Sequence, residues 1–130
     1  FFEKLTNLES LEIENGQLNS LPTRIFSSLF KLAKLSMKRV NIEHVDERAF
    51  ESLTNLRDLS LEENYIQKIE KNTFHALENL QNLSLAYNQI ENLDFLNVDS
   101  LANLKNLNLA NNKIKKMLLF HQINLARTTY

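Results

Sequence analysis

The sequence predicts a solenoid of the α/β class. It would be a right-handed horseshoe of stacked coils, with a parallel sheet of short strands on the concave face and irregular or 3₁₀ turns on the convex face. Three observations predict it. Apolar residues recur every 24 residues along the whole chain, and within each period one short stretch alternates apolar and polar residues. The 130 residues include one Gly and one Pro, too few for a fold built on tight hairpins or long loops.

The recurrence is read from Leu8, Leu32, Leu56, Leu80 and Leu104. Three positions on stand Leu11, Leu35, Leu59, Leu83 and Leu107, and five on stand Ile13, Met37, Leu61, Leu85 and Leu109. Ten on are Leu18, Ile42, Ile66, Ile90 and Ile114; thirteen on are Leu21, Val45, Ile69, Leu93 and Met117. Eighteen on are Phe26, Phe50, Phe74, Val98 and Gln122, and twenty-one on are Leu29, Leu53, Leu77, Leu101 and Leu125. Across seven columns and five rows the one polar exception is Gln122. Self-similarity at a fixed period is the signature of a repeat architecture. The rows are then 8–31, 32–55, 56–79, 80–103 and 104–127, after a partial row 1–7 that carries Phe2 and Leu5 in the same phase. A start in mid-row and an end soon after Leu125 are expected of an internal stretch of a longer solenoid, because terminal repeats normally carry a polar cap. The alternative is a complete small protein closed by its own tail, Ile123 to Tyr130.

Each row then assigns its own elements. In Ser10-Leu11-Glu12-Ile13-Glu14 the period is two, which puts Leu11 and Ile13 inward and the polar residues outward on a strand. The same strand is expected near Leu35, Leu59, Leu83 and Leu107, stacked in parallel about 4.8 Å apart. The rest of each row is a bulkier return path, so the stack bends with its strands inside. Stretches such as 46–50 are too short for a stable isolated helix. A single row cannot hide its apolar set, but stacking can. At about 1.5–3 kcal/mol per fully buried Leu, Ile or Phe, several such residues offset the ordering entropy of a row. Phe26, Phe50 and Phe74 should stack as a column that Val98 and Gln122 end, leaving looser packing there unless Phe95 and Phe120 substitute.

The pattern L-x-x-L-x-L-x-x-N-x-L, as in Leu56-Arg57-Asp58-Leu59-Ser60-Leu61-Glu62-Glu63-Asn64-Tyr65-Ile66, resembles the leucine-rich repeat family. The 24-residue rows, the Phe column and the Leu21-Pro22 pair are similar to its typical subclass, found in extracellular proteins and Toll-like receptor ectodomains. The resemblance implies a structural role for Asn64, Asn88 and Asn112, whose amides would bond backbone groups where the chain leaves the strand; buried polar groups need such partners. The first two rows depart from the pattern, with Gly16 and Val40 at that position. Asn15 and Asn41 stand beside the gap.

Several classes of chemistry are absent. With 15 Lys and Arg against 16 Asp and Glu, the formal charge is −1, which argues against bulk attraction to nucleic acid or an anionic membrane. No apolar run approaches the roughly 20 residues of a spanning helix, so a membrane would be met only through parts of a parent chain outside this segment. The chain has no Cys, excluding disulfides and cysteine zinc sites within it. His44, His75 and His121 fall at unrelated offsets, unlike metal ligands, which cluster at short fixed spacings. One Gly supplies neither a phosphate-binding loop nor a nucleophile elbow. No catalytic set, cofactor or metal is expected, and the chain reads as a non-enzyme.

The informative chemistry is the outward side of the strands. Glu12 and Glu14 are followed by Lys34, Lys38 and Arg39, then Asp58, Glu62 and Glu63, then Asn82, Ser84, Ala86 and Tyr87, and finally Asn106, Asn108, Ala110 and Asn111. Charge alternates and then stops. Adjacent opposite charges favour a salt-linked, solvated sheet face. The functional alternative is a patch whose exposed members, Arg39 and Tyr87 above all, anchor a protein ligand or co-receptor, since Arg and Tyr are enriched in binding hot spots. Ser36, Ser60 and Ser84 are small and would leave a shallow groove. Asn82-Leu83-Ser84 is the N-x-S/T sequon, and a glycan at Asn82 would lie on the concave face of a secreted chain. The resemblance implies an extracellular recognition solenoid, with dimerisation in the parent protein as one mode of signalling. The opposing class is an intracellular scaffold or regulatory subunit, which the lack of Cys favours; a repeat segment fused to an enzyme is a third.

Overall fold

The computed structural model describes residues 2–96 and 101–115, and the backbone of 128–129. Val98, Met117, Phe120, His121, Gln122 and Leu125, which figure in the columns above, lie outside the described residues. One parallel sheet organises the chain. Its strands are β1 (Ser10–Glu14), β3 (Lys34–Lys38), β5 (Asp58–Ser60), β6 (Asn82–Ser84), β7 (Asn106–Asn108) and β8 (Thr128–Thr129), in the order β1-β3-β5-β6-β7-β8. A second, two-stranded parallel sheet on the return side pairs β2 (Ser20–Leu21) with β4 (His44–Val45). The sequence pattern gave no sign of it.

The register follows the repeat. Leu11 faces Leu35, Leu35 faces Leu59, Leu59 faces Leu83 and Leu83 faces Leu107, each pair in equivalent places of successive rows. The final pairing departs: Leu107 meets Thr128 and Asn108 meets Thr129, so the last row closes three residues early. Side chains alternate as the period of two requires. In β3, Leu35 and Met37 are buried while Lys34 is exposed and Ser36 and Lys38 are half-buried. Leu59 and Leu83 are each 2% exposed. Leu8, Leu11, Ile13 and Leu18 are only partly buried, because β1 has a neighbour on one side only.

The return path is made of turns, and no helix occurs among the described residues. Successive turns are closed by bonds from a backbone N–H to the carbonyl three residues back, as from Leu29 to Phe26 and Leu32 to Leu29, repeated from Leu53 to Phe50 and Leu56 to Leu53. With one such bond at a time, the path has little local stability, and its rigidity comes from packing. Phe2, Phe26, Phe50 and Phe74 stack with ring centroids 5.8, 6.0 and 5.8 Å apart. Phe95 then completes the column, buried and edge-on to Phe74 at 5.6 Å. The substitution for the missing Phe at position 98 is therefore real, and the ring rotates because it arrives from a different place in the row.

A shared polar seam fixes the bend at the end of each strand. Asn64, only 4% exposed, accepts at Oδ1 from the backbone N–H groups of Val40 and Ile42, both at 3.1 Å. Its Nδ2 donates to the carbonyls of Met37, Leu61 and Glu62. Asn88 and Asn112 repeat the arrangement one and two rows on, accepting from Ile66 and Ile90 and donating to Leu61 and Leu85 of the preceding row. Each asparagine therefore serves the row before its own, which is how row two manages without one. Between rows one and two the backbone does the work: Gly16 N–H donates to the Arg39 carbonyl and Leu18 N–H to that of Val40. That approach requires glycine, since a Cβ at position 16 would lie 2.6 Å from Val40 Cγ1. Asn15 does not cover the gap; its Oδ1 accepts from Arg39 Nε at 2.8 Å.

Candidate functional site

The outward face of the sheet divides into a charged half and a neutral half. In the charged half every basic side chain is already held. Lys34 Nζ lies 2.5 Å from Glu12, and Lys38 Nζ lies 2.9 Å from Glu63 and 3.7 Å from Glu62. Arg39 donates to Glu14, to both oxygens of Glu63 at 3.0 and 3.2 Å, and to Asn15. These contacts hold the charged forms. The Glu12 carboxylate raises the Lys34 ammonium, and Glu63 raises both Lys38 and Arg39. Lys38 first, then Arg39, holds the Glu63 carboxyl below its ordinary range. The residues expected on this face are thus brought together, but as a ladder in which each row neutralises its neighbours. The ladder is half-exposed and so each pair contributes modestly to stability.

The neutral half continues the same ladder with amides. Asn82 Nδ2 donates to Asp58 Oδ1, and Asn106 Nδ2 donates to Asn82 Oδ1 at 2.6 Å. The carboxylate of Asp58 therefore orients two amides in series. Ser84 Oγ donates to Glu62 at 2.5 Å. Between these columns the small Ser36, Ser60 and Ser84 leave a hollow of about 310 Å³, walled by Lys34, Asp58, Glu62, Asn82, Asn106 and Asn108. The shallow groove stands where those small side chains were expected to leave one. Asn82, the sequon residue, is half-buried in the middle of its strand at the wall of this hollow.

One position of each row stands apart. Asn15, Arg39, Glu63, Tyr87 and Asn111, the last residues before the asparagine seam, all have left-handed backbones with φ of 53–60°. Side chains other than Gly and Asn adopt that conformation at a cost of about 1–2 kcal/mol each. It recurs in every row, so it belongs to the bend that ends the strand and not to any one residue's function. Tyr87 is 56% exposed at this bend, and Tyr65 is 49% exposed just beyond it in the preceding row.

Two features escaped the reading of the sequence. Tyr65 is one. The other is a second asparagine column at the entry to the strands: Asn55, Asn79 and Asn103 donate to the carbonyls of Phe30, Thr54 and Glu78 of the preceding rows, and Lys31 in the same column reaches Asn7 at 2.8 Å. The 24-residue phase would have found it, since these residues immediately precede the first leucine of each row. His44 and His75 are exposed, and no group of three or more His, Asp or Glu among the described residues is placed to hold a metal ion.

Residues 6–66, 30–90 and 54–114 each match the family model described as leucine rich repeat. No curated protein matches the sequence significantly. Among solved structures, the crystal structure of the APL1 leucine-rich repeat domain superposes with a TM-score of 0.84 at 21% identity, over 92% of this chain and 32% of that one. The LRIM1/APL1C complex gives 0.77 at 21% identity, over 88% of this chain and 22% of that one. The Toll–Spatzle complex, described as a molecular hub in Drosophila development and innate immunity, gives 0.75 at 25% identity, over 86% of this chain and 15% of that one. The chain thus spans about a third or less of the length of each.

Proposed function

Because the chain belongs to the leucine-rich repeat family, whose fold generally serves as a non-enzymatic protein-binding scaffold, we propose that it is one segment of an extracellular recognition solenoid that reads a protein ligand or co-receptor with its concave side. The observation that carries this is the sheet itself. It is a preformed surface, locked row to row by ion pairs and amide ladders, with a shallow, polar-walled hollow suited to protein contact. The site comprises Glu12, Glu14, Lys34, Lys38, Arg39, Asp58, Glu62, Glu63 and Tyr87. That the LRIM1/APL1C and Toll–Spatzle structures are complexes supports a protein partner, and the 24-residue rows with their Phe column support an extracellular setting. Dimerisation and any membrane attachment then belong to the parent protein. The absence of Cys favours the other reading, an intracellular scaffold built on the same surface.

Two measurements test the proposal. Blocking the hollow with Ser60→Trp should weaken binding to the parent protein's partner at least tenfold while the unfolding midpoint stays within about 2 °C; unchanged affinity removes the concave side from the interface. Routing the chain through the secretory pathway of a eukaryotic host should give a glycan-sized mass increment that Asn82→Gln abolishes. A secreted chain of unmodified mass counts against glycosylation, and misfolded retention counts against the extracellular setting.

A further inference from the structure

We propose that the energetic anchor of recognition is the aromatic edge formed by Tyr65 and Tyr87, where the chain leaves the concave sheet, and that the surface it takes is an uncharged patch of a protein partner. The inference rests on the protein-recognition reading above and narrows it.

The charged half of the sheet is poorly placed to supply that anchor. Arg39 is held by two carboxylates and an amide, Lys38 by two carboxylates and Lys34 by one. A charged partner would have to displace these contacts and strip water from both new ions, so its gain would be small. The edge differs in both respects. Tyr65 and Tyr87 are two of the four large apolar side chains exposed among the described residues, and no hydrogen bond to either hydroxyl occurs there. They project from adjacent rows. Ile66, next to Tyr65, donates to Oδ1 of Asn88, next to Tyr87, at 3.0 Å, and Gln89 N–H returns to the Ile66 carbonyl at 2.9 Å. The seam beneath them is buried and fully bonded, so the two rings sit on rigid backbone.

The residues beside Tyr65 in its column are the neutral Asn41 and Gln89, and the nearest cation of that column, Lys113, donates to Gln89 Oε1 at 3.3 Å. The column of Tyr87 is neutral for a structural reason. Glu63 is the neighbour of Tyr87 in the row below, its N–H donating to the Ala86 carbonyl at 3.0 Å. Its carboxylate, however, is drawn back to Lys38 and Arg39 of the row before. On the other side the next residue in the column is Asn111. Charge complementarity therefore points to an uncharged surface. Each Tyr can cover about 150–250 Å² with little side-chain entropy to lose, and such rings carry a large share of binding energy.

The test places photoreactive p-benzoylphenylalanine at position 65 or 87, and for reference at 34 or 38, in the full parent chain. The protein crosslinked is then purified and titrated against wild type, Tyr65→Ala and Tyr87→Ala at 50 and 500 mM NaCl. Expected are crosslinks from 65 and 87 in higher yield than from 34 or 38, at least tenfold weaker binding for each Ala variant, and a Kd that changes less than threefold with salt. Because both rings are exposed, the variants should fold; Tyr65→Phe and Tyr87→Phe, which keep the ring, should retain most of the affinity. Crosslinks in higher yield from 34 and 38 with a Kd rising tenfold or more in salt would overturn the aromatic edge and leave protein recognition standing. Crosslinks from none of the four positions would overturn both.

Discussion

Replacing Asn64 by Ala should be among the most damaging single changes in the chain, although the residue has no apolar surface of note and touches no ligand. Its Oδ1 is the acceptor for two buried backbone N–H groups, those of Val40 and Ile42, and its Nδ2 donates to the carbonyls of Met37, Leu61 and Glu62. Alanine leaves the two N–H groups without a partner in a place that water does not reach. At about 1–3 kcal/mol for each buried group left unsatisfied, the loss is about 3–5 kcal/mol, in the range where single substitutions are diagnostic of a specific lost interaction. Asn112→Ala removes the same kind of contacts at a half-buried position, where water can take over, and should cost about half as much or less. Urea unfolding of both variants beside wild type, followed by far-UV circular dichroism, gives the comparison. A loss below about 1 kcal/mol for Asn64→Ala, or equal losses for the two, would refute the claim that this seam organises the bends.

Other consequences follow from particular contacts. Thr73 is 2% exposed and its Oγ1 has no hydrogen-bond partner, so Thr73→Val, which keeps the shape, should raise stability by about 0.5–1 kcal/mol in the same assay; a loss of that size would show that the hydroxyl is satisfied. Gly16→Ala should destabilise by about 1–3 kcal/mol through the contact with Val40 Cγ1, and Val40→Ala in the same chain should recover part of it; strict additivity in a double-mutant cycle would rule out the clash. Glu63 has its carboxyl lowered by Lys38 and Arg39, so the stability it contributes is present above its ordinary value of 4.5 and is lost as pH falls through the lower folded value. The stability difference between wild type and Glu63→Gln should therefore be flat from pH 7 to 5 and shrink below, and it should shrink in 1 M NaCl; a difference that grows on acidification has the wrong sign.

Most of the architecture was legible because the repeat is one-dimensional: a residue's environment depends on its offset in the row and on its two neighbours. Leu59 and Leu83 could be placed in the interior, Ser36 opposite Ser60, and Phe26 on Phe50 from spacing alone. What spacing could not give was the direction of side-chain bonds. Asn64 was visible as a seam residue, but not that it reaches back to Val40 and so repairs the row that lacks its own asparagine. Arg39 was visible as a candidate anchor, but its capture by Glu14, Glu63 and Asn15 depends on rotamers in three rows. Tyr65 went unnoticed because its offset carries no period; its column otherwise holds Gln17, Asn41, Gln89 and Lys113, and only the fold shows it exposed on the row next to that of Tyr87. The shortened last pairing, Leu107 with Thr128, breaks the 24-residue phase and lay beyond any argument from it.

The solenoid stands on rows stacked in parallel, each residue beside its counterpart in the next row, and a chain without Cys allows that to be measured against a clean background. Ser36 faces Ser60 and Ser60 faces Ser84 on adjacent strands, at spacings a disulfide spans, whereas Ser36 and Ser84 are two strands apart, about 9–10 Å. The double variants Ser36→Cys/Ser60→Cys and Ser60→Cys/Ser84→Cys should therefore oxidise rapidly to intramolecular disulfides under mild oxidant, and Ser36→Cys/Ser84→Cys should not. Ready closure of the Ser36/Ser84 pair, or failure of both adjacent pairs, would contradict the stack.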